Sequence, residues 1–248
     1  MTLQEFFTQH PKAALAFSGG TDSAYLLWAA RQYGAQVQPY FIRTCFQPDF
    51  ALAHARQLCR QLDLPLQIID TDVLKTEAVR SNPPRRCYHC KKQMFTALQA
   101  QALADGYPCI LDGTNADDDA DDRPGMQALA ELRVLSPLRL CGLTKAEIRR
   151  RSQQAGLFTW DMPAYACLAT RIPTGTPICT DDLHRVEQAE RALYDLGFAD
   201  LRVRLRGKTA LLQLPPAQLE KAVTQRESIL TALRPYFDHI TLDLEARG

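Results

Sequence analysis

The residues Ala13-Ala14-Leu15-Ala16-Phe17 form an apolar run that stops at Ser18-Gly19-Gly20-Thr21-Asp22-Ser23, and a helical pattern continues from there to Tyr33. That order reads as a buried strand, a glycine turn and a helix. Gly19 and Gly20 let the backbone turn with its N–H groups outward. The helix start behind them carries unpaired donors and the positive end of the helix dipole, which favours an anion in front of it, and the Ser18 and Ser23 hydroxyls add donors. Asp22 suits either a cap on the helix start or a metal contact. The turn lacks the Gly-Lys-Ser/Thr ending of a Walker A loop, so it offers no lysine of its own for a transferring γ-phosphate.

Strand-like runs at 13–17, 37–42, 66–69 and 107–111 alternate with helical patterns at 23–33, 50–62 and 91–104. The alternation predicts an α/β fold with a parallel sheet, helices on both faces, and ligands beyond the carboxyl ends of the strands, where Ser18 to Ser23 lie. Residues 134–138 predict a last short strand, and Thr144-Lys145-Ala146-Glu147 has the spacing of a capping box opening a helix to about residue 155. Residues 157–177 lose the periodicity and carry three prolines, as expected of a long connecting loop. The pattern then restarts as helix 181–196, strand 201–205, a turn at Gly207-Lys208, strand 210–214, helix 216–233 and strand 240–244. The expected division is an α/β domain at 1–160, a connecting loop at 161–179, and a small α+β domain at 180–248.

A chain of 248 residues with 46% hydrophobic content can bury one large core and one small one. No apolar run reaches the roughly 18 to 20 residues of a membrane span, and residues 1–9 are polar and amphipathic, so a cytoplasmic protein with no membrane partner is expected. A net charge of +1 gives no long-range field for gathering nucleic acid.

Eight cysteines in such a chain are expected to be thiols or metal ligands, with Cys59 in a helical stretch and Cys109 in an apolar strand as small core residues. Cys45, Cys141 and Cys179 acquire no task. Cys87 and Cys90 stand three positions apart at a helix start, among Arg85, Arg86, Lys91 and Lys92, a setting suited to anionic sulfur. Cys167, in the long loop, offers a third sulfur. Three thiolates can hold a [4Fe-4S] cluster with one iron open; a zinc completed by His89 or Cys179, or a redox dithiol, satisfies the same spacing.

Two further groups read both ways. Arg202 and Arg204 alternate with Leu201, Val203 and Leu205, so both guanidinia share one strand face, fit either for a phosphate or for solvent. Asp112, Asp117, Asp118, Asp119, Asp121 and Asp122 crowd one stretch, which describes a solvated turn unless a cation sits within it.

The Ser18 to Ser23 turn resembles the PP-loop of ATP pyrophosphatases. With Asp112-Gly113-Thr114-Asn115, Arg123-Pro124-Gly125, Ser136-Pro137-Leu138, Gly142-Leu143-Thr144-Lys145 and Cys167-Leu168-Ala169-Thr170-Arg171-Ile172-Pro173, nearly the whole chain resembles the LarE-type ATP-dependent sulfur transferases of that superfamily. The resemblance implies ATP and Mg²⁺ at Ser18, Gly19, Gly20, Asp22, Ser23, Asp112 and Arg123. It further implies adenylation of a carboxylate on a pyridinium biscarboxylate mononucleotide and its replacement by sulfur, in nickel-pincer nucleotide cofactor synthesis. Because Cys87 and Cys90 accompany Cys167, the resemblance is to members whose three cysteines ligate a [4Fe-4S] cluster fed by a sulfide or persulfide donor. It places the small nucleotide-like carboxylate on Arg171, Arg202 and Arg204, makes Glu190 a metal contact, and accompanies a homo-oligomer. The chain departs from the usual Tyr-Gly ending of the Cys167 segment, reading Pro173-Thr174-Gly175. A tRNA thiolase of the same superfamily and an ATP-binding module without turnover are the alternatives.

Overall fold

The computed structural model describes residues 1–118 and 124–245. They form two compact units, one of Met1–Thr44, Asp49–Val73 and Arg85–Met162, the other of Cys45–Pro48, Leu74–Pro84 and Pro163–Gly248.

In the first unit, strands β1 (Lys12–Ala16), β2 (Gln36–Arg43), β3 (Gln67–Asp70) and β4 (Ile110–Leu111) make one parallel sheet in the order β3-β2-β1-β4. Ala13 pairs with Val37, and Ala14 with Ile110. Alternate residues feed opposite faces. Ala13, Leu15, Val37 and Phe41 pack with Leu26 and Leu27 of helix Thr21–Gln32, Leu58 of helix Asp49–Gln61 and Ile148 of helix Lys145–Gln154. On the other side Ala14, Tyr40, Ile42 and Ile110 pack with Phe95 and Leu98 of helix Arg86–Ala104 and Leu129 of helix Pro124–Glu131. The α/β expectation holds. The chain winds outward through β1, β2 and β3, then returns to β4 on the far side of β1, so the carboxyl ends of β1 and β4 flank the switch point where ligands of such sheets bind.

The strand expected at 134–138 is not formed. Leu135 makes only an isolated parallel bridge to Leu111, and Pro137 then starts the short helix Pro137–Leu140, for which its fixed φ is suited. The helix expected from 91 starts at Arg86, and therefore holds both cysteines. Thr144 does cap helix Lys145–Gln154, accepting from the Glu147 N–H at 3.3 Å, while the Glu147 carboxylate turns to Arg150 and Arg151.

In the second unit, β5 (Arg202–Arg206) and β6 (Thr209–Gln213) form an antiparallel hairpin around Gly207, and β7 (His239–Leu242) runs parallel to β6. Helix Thr180–Asp195 buries Leu183, Val186, Ala189 and Leu193. The helix expected over 216–233 breaks into a 3-10 turn and two helices, Leu219–Thr224 and Arg226–Leu233. Thr224 Oγ1 donates back to Glu220 O at 2.9 Å just before the break, a bond that competes with the helical ladder. Backbone bonds tie the early segments to the loop: Leu168 N–H to Phe46 O, Gly175 N–H to Asn82 O, and Ile178 N–H to Arg80 O, each 2.8 Å. No helix among the described residues is long and apolar enough to cross a membrane.

Candidate functional site

At the end of β1 the backbone turns through Gly19, whose φ is +74°. A Cβ on Gly19 would sit 2.9 Å from both Ala51 O and Ala55 N, so only glycine lets the loop lie against helix Asp49–Gln61. Gly20 is the N-cap of helix Thr21–Gln32 and has no side chain to occupy the helix start, which leaves its donors facing outward. The hydroxyls brace the turn: Ser18 Oγ accepts from Gly20 N–H at 3.3 Å and lies 3.0 Å from Ser23 Oγ, and Ser23 Oγ donates to Gly20 O at 3.2 Å. Thr21 Oγ1 donates to Thr159 O at 2.7 Å.

The loop after β4 lies against the same helix start. A Cβ on Gly113 would meet Ser23 N at 3.0 Å, so this glycine too is a close-approach residue. Asp112 is buried, and its carboxylate accepts from Ser136 Oγ at 2.7 Å and from the Thr114 hydroxyl and N–H; it shapes the loop that borders the helix start. Lys145 Nζ reaches Asp22 Oδ2 at 2.7 Å across 123 positions of sequence, and its backbone N–H donates to Asp117 Oδ2 at 2.7 Å. The fold thus supplies beside the turn the lysine that the turn itself lacks. Asp22 Oδ1 is buried with no hydrogen-bond partner among the described residues, an acceptor of the kind that a divalent cation satisfies. Arg123, with Asp119, Asp121 and Asp122, lies outside the described residues.

The second unit holds three arginines, one of which is paired with a buried carboxylate. Arg171, with no exposed side-chain surface, gives Nε to Glu190 Oε1 at 2.8 Å and Nη2 to Oε2 at 3.1 Å. Its Nη1 donates to Ala166 O at 2.8 Å and to Thr170 Oγ1 at 2.9 Å. Glu190 also accepts from Tyr165 Oη at 2.6 Å and Val203 N–H at 3.0 Å, so four donors saturate it and it acts as the counter-ion of Arg171. Arg202 is buried and donates to Leu201 O and Ala164 O, each at 2.7 Å; Arg204 donates to Thr170 O at 2.7 Å and to Gln213. The strand face expected to meet solvent or phosphate directly is therefore roofed by residues 164–170. Burial, then the Arg171 charge, pulls both Arg202 and Arg204 below the usual guanidinium range. For Arg171, burial acts the same way but is overcome by the bonds to Glu190, which hold it above that range.

Cys87 and Cys90 stand on one side of the first turns of helix Arg86–Ala104, Cys87 exposed and Cys90 buried, and Arg86 Nη2 lies 3.4 Å from Cys87 Sγ. They belong to the first unit. Cys167 belongs to the second and precedes the 3-10 turn Leu168–Arg171. Among the described residues no three His, Cys, Asp or Glu side chains gather as a metal-holding group. The donor chemistry of the three thiols suits a cluster in kind, with two of them one helical turn apart. Burial pushes the Cys59 thiol up to about 11 and raises Cys109 as well, in keeping with unreactive core residues.

No protein-family model matches the chain. An uncharacterised protein of Synechocystis is 36% identical over 98% of this chain and 92% of its own length. The pyridinium-3,5-bisthiocarboxylic acid mononucleotide synthase of Lactiplantibacillus plantarum is 29% identical over 94% of this chain and 86% of its own. The chain belongs to the LarE-type sulfur transferase family. A tRNA-specific 2-thiouridylase of Thermotoga matches more weakly, at 23% identity over 59% of this chain and 52% of its own length. In this member of the family, Gly113 and Lys145 are the residues that sequence reasoning passed over as parts of the site. Only the packing, Gly113 against Ser23 and Lys145 on Asp22, gives them a task.

Proposed function

We propose that this protein adenylates a carboxylate of a pyridinium biscarboxylate mononucleotide with ATP, releasing pyrophosphate, and exchanges the activated oxygen for sulfur in nickel-pincer nucleotide synthesis. The observation that carries this reading is the Ser18 to Ser23 turn at the sheet's switch point, with its uncapped helix start, two hydroxyls and Lys145 at hand. A carboxylate is a poor acyl electrophile because its leaving oxygen is a strong base, and ATP supplies a better leaving group. As a substrate oxygen attacks the α-phosphorus, the bond to the β-phosphate bridge breaks and charge grows on pyrophosphate. The N–H groups behind Gly20, the Ser18 and Ser23 hydroxyls and the Lys145 ammonium are placed to take that charge. Asp22 would hold Mg²⁺ through Oδ1, its other oxygen remaining with Lys145. Asp112, through Ser136 and Thr114, holds the neighbouring loop, and Arg123 is the family's nucleotide contact.

Cys87, Cys90 and Cys167 would hold a [4Fe-4S] cluster, which when bound would supply sulfide, taken from a sulfide donor or from a persulfide donor together with a thiol reductant that provides the two electrons. Arg202 and Arg204 would meet the mononucleotide phosphate, with Arg171 holding the turn above them. The small C-terminal unit is then the substrate domain, in a cytoplasmic homo-oligomer. The test is anaerobic turnover of the purified protein with ATP, Mg²⁺ and sulfide, offered pyridine-3,5-biscarboxylic acid mononucleotide or, in parallel, unmodified tRNA. The expected product carries sulfur in place of one carboxylate oxygen; unaltered mononucleotide alongside thiolated tRNA would replace this reading with the tRNA thiolase.

A further inference from the structure

The Tyr165 ring centroid is 4.5 Å from the guanidinium carbon of Arg171 and 5.1 Å from that of Arg202. Its hydroxyl donates to Glu190 Oε2 at 2.6 Å. Of the three arginines of this unit only Arg171 bonds the Glu190 carboxylate, while Arg202 and Arg204 bond carbonyl oxygens. Arg171 takes both oxygens, the Val203 N–H and the Tyr165 hydroxyl fill the remaining acceptor positions, and Arg202 is left bonded to two backbone carbonyls. Carbonyls orient a guanidinium without cancelling its charge. Without the ring, the like charges of Arg171 and Arg202 would face each other in a buried setting; the electron-rich ring face screens them.

We propose that Tyr165 is a positioning residue that keeps Glu190 bonded to Arg171 and holds Arg202 as a cation bonded to no carboxylate, and so sets the affinity for the phosphate of the mononucleotide. This rests on the proposed substrate role of Arg202. The phenol is suited to the task because burial, then the Glu190 charge, raises it far above any working pH, so it remains a donor.

The experiment compares the full-length wild type with Tyr165→Leu, Tyr165→Phe and Arg202→Leu, titrating nicotinic acid mononucleotide and, separately, ATP by calorimetry, and following KM and kcat for the biscarboxylate mononucleotide. Tyr165→Leu should weaken mononucleotide binding about tenfold and raise KM by a similar factor, with ATP affinity and kcat near wild type. Tyr165→Phe keeps the ring and should restore most of the lost affinity, which a merely structural role for the whole side chain would not distinguish. Wild-type mononucleotide affinity in Tyr165→Leu, while Arg202→Leu loses it, overturns the role of Tyr165 alone. Unchanged affinity in Arg202→Leu overturns the underlying assignment of Arg202. Should Tyr165→Leu fail to fold, Tyr165→Phe decides: a loss of two- to threefold in mononucleotide affinity with ATP unaffected supports the role, and equal losses for both ligands contradict it.

Discussion

Two glycines shape the site, and the sequence context announces the work of only one of them. Gly19 was legible, because a Gly-Gly pair after an apolar run announces a turn, and its φ of +74° is that turn. Gly113 was not, because its role is proximity to Ser23, a residue far away in the chain. Gly113→Ala should push the loop after β4 off the helix start and raise KM for ATP about tenfold with a melting temperature close to wild type, as steady-state kinetics and a thermal melt can determine. Glu190 carries the opposite kind of load. Removing its carboxylate leaves Arg171 buried without a counter-ion, and Glu190→Ala should cost about 3–5 kcal/mol in urea denaturation. The sequence offered no sign of this pairing: an acid within a helix reads as a surface residue, and its partner sits in a loop.

Helix Lys145–Gln154 shows how an element prepares a site. Thr144 caps it, Lys145 leaves its first turn to meet Asp22, and Glu147 binds Arg150 and Arg151. The bonds to Arg150 and then Arg151 lower the Glu147 carboxyl from 4.5 to about 2. A depressed carboxylate stabilises the fold above its unfolded value and stops doing so as the pH falls through the folded one. The wild type should therefore lose melting temperature between pH 4.5 and about 2 more steeply than Glu147→Gln; parallel curves for the two proteins would dismiss this contribution. Where pattern and local chemistry agreed, as at β1 and the Thr144 cap, the elements were readable. At 134–138 a β-branched, apolar pattern was overruled by Pro137, and at 216–233 an apolar periodicity hid a break that only the Thr224 bond reveals.

The two units differ in how much of them a linear reading can see. The first follows strand-helix alternation, so its sheet and the position of the Ser18 to Ser23 turn came from periodicity. The second recruits Cys45–Pro48 and Leu74–Pro84 through backbone bonds to the 163–178 segment, and short polar connections carry no pattern that foretells such bonds. The cysteines illustrate the same limit, since spacing identifies Cys87 and Cys90 as a pair but leaves the metal open among iron, zinc and none. Anaerobically purified protein should contain about four irons per chain with matching acid-labile sulfide, lost in Cys87→Ala, Cys90→Ala and Cys167→Ala; one zinc without labile sulfide would remove the cluster from the account.

The central claim is that the turn between β1 and its helix grips the leaving group of an adenylation. The decisive measurement is the fate of α-labelled ATP incubated with the protein, Mg²⁺ and the biscarboxylate mononucleotide. Labelled AMP with stoichiometric pyrophosphate, abolished in a Ser18→Ala, Ser23→Ala double variant, is the predicted result. Labelled ADP with inorganic phosphate, or no turnover of ATP with that acceptor, would contradict it.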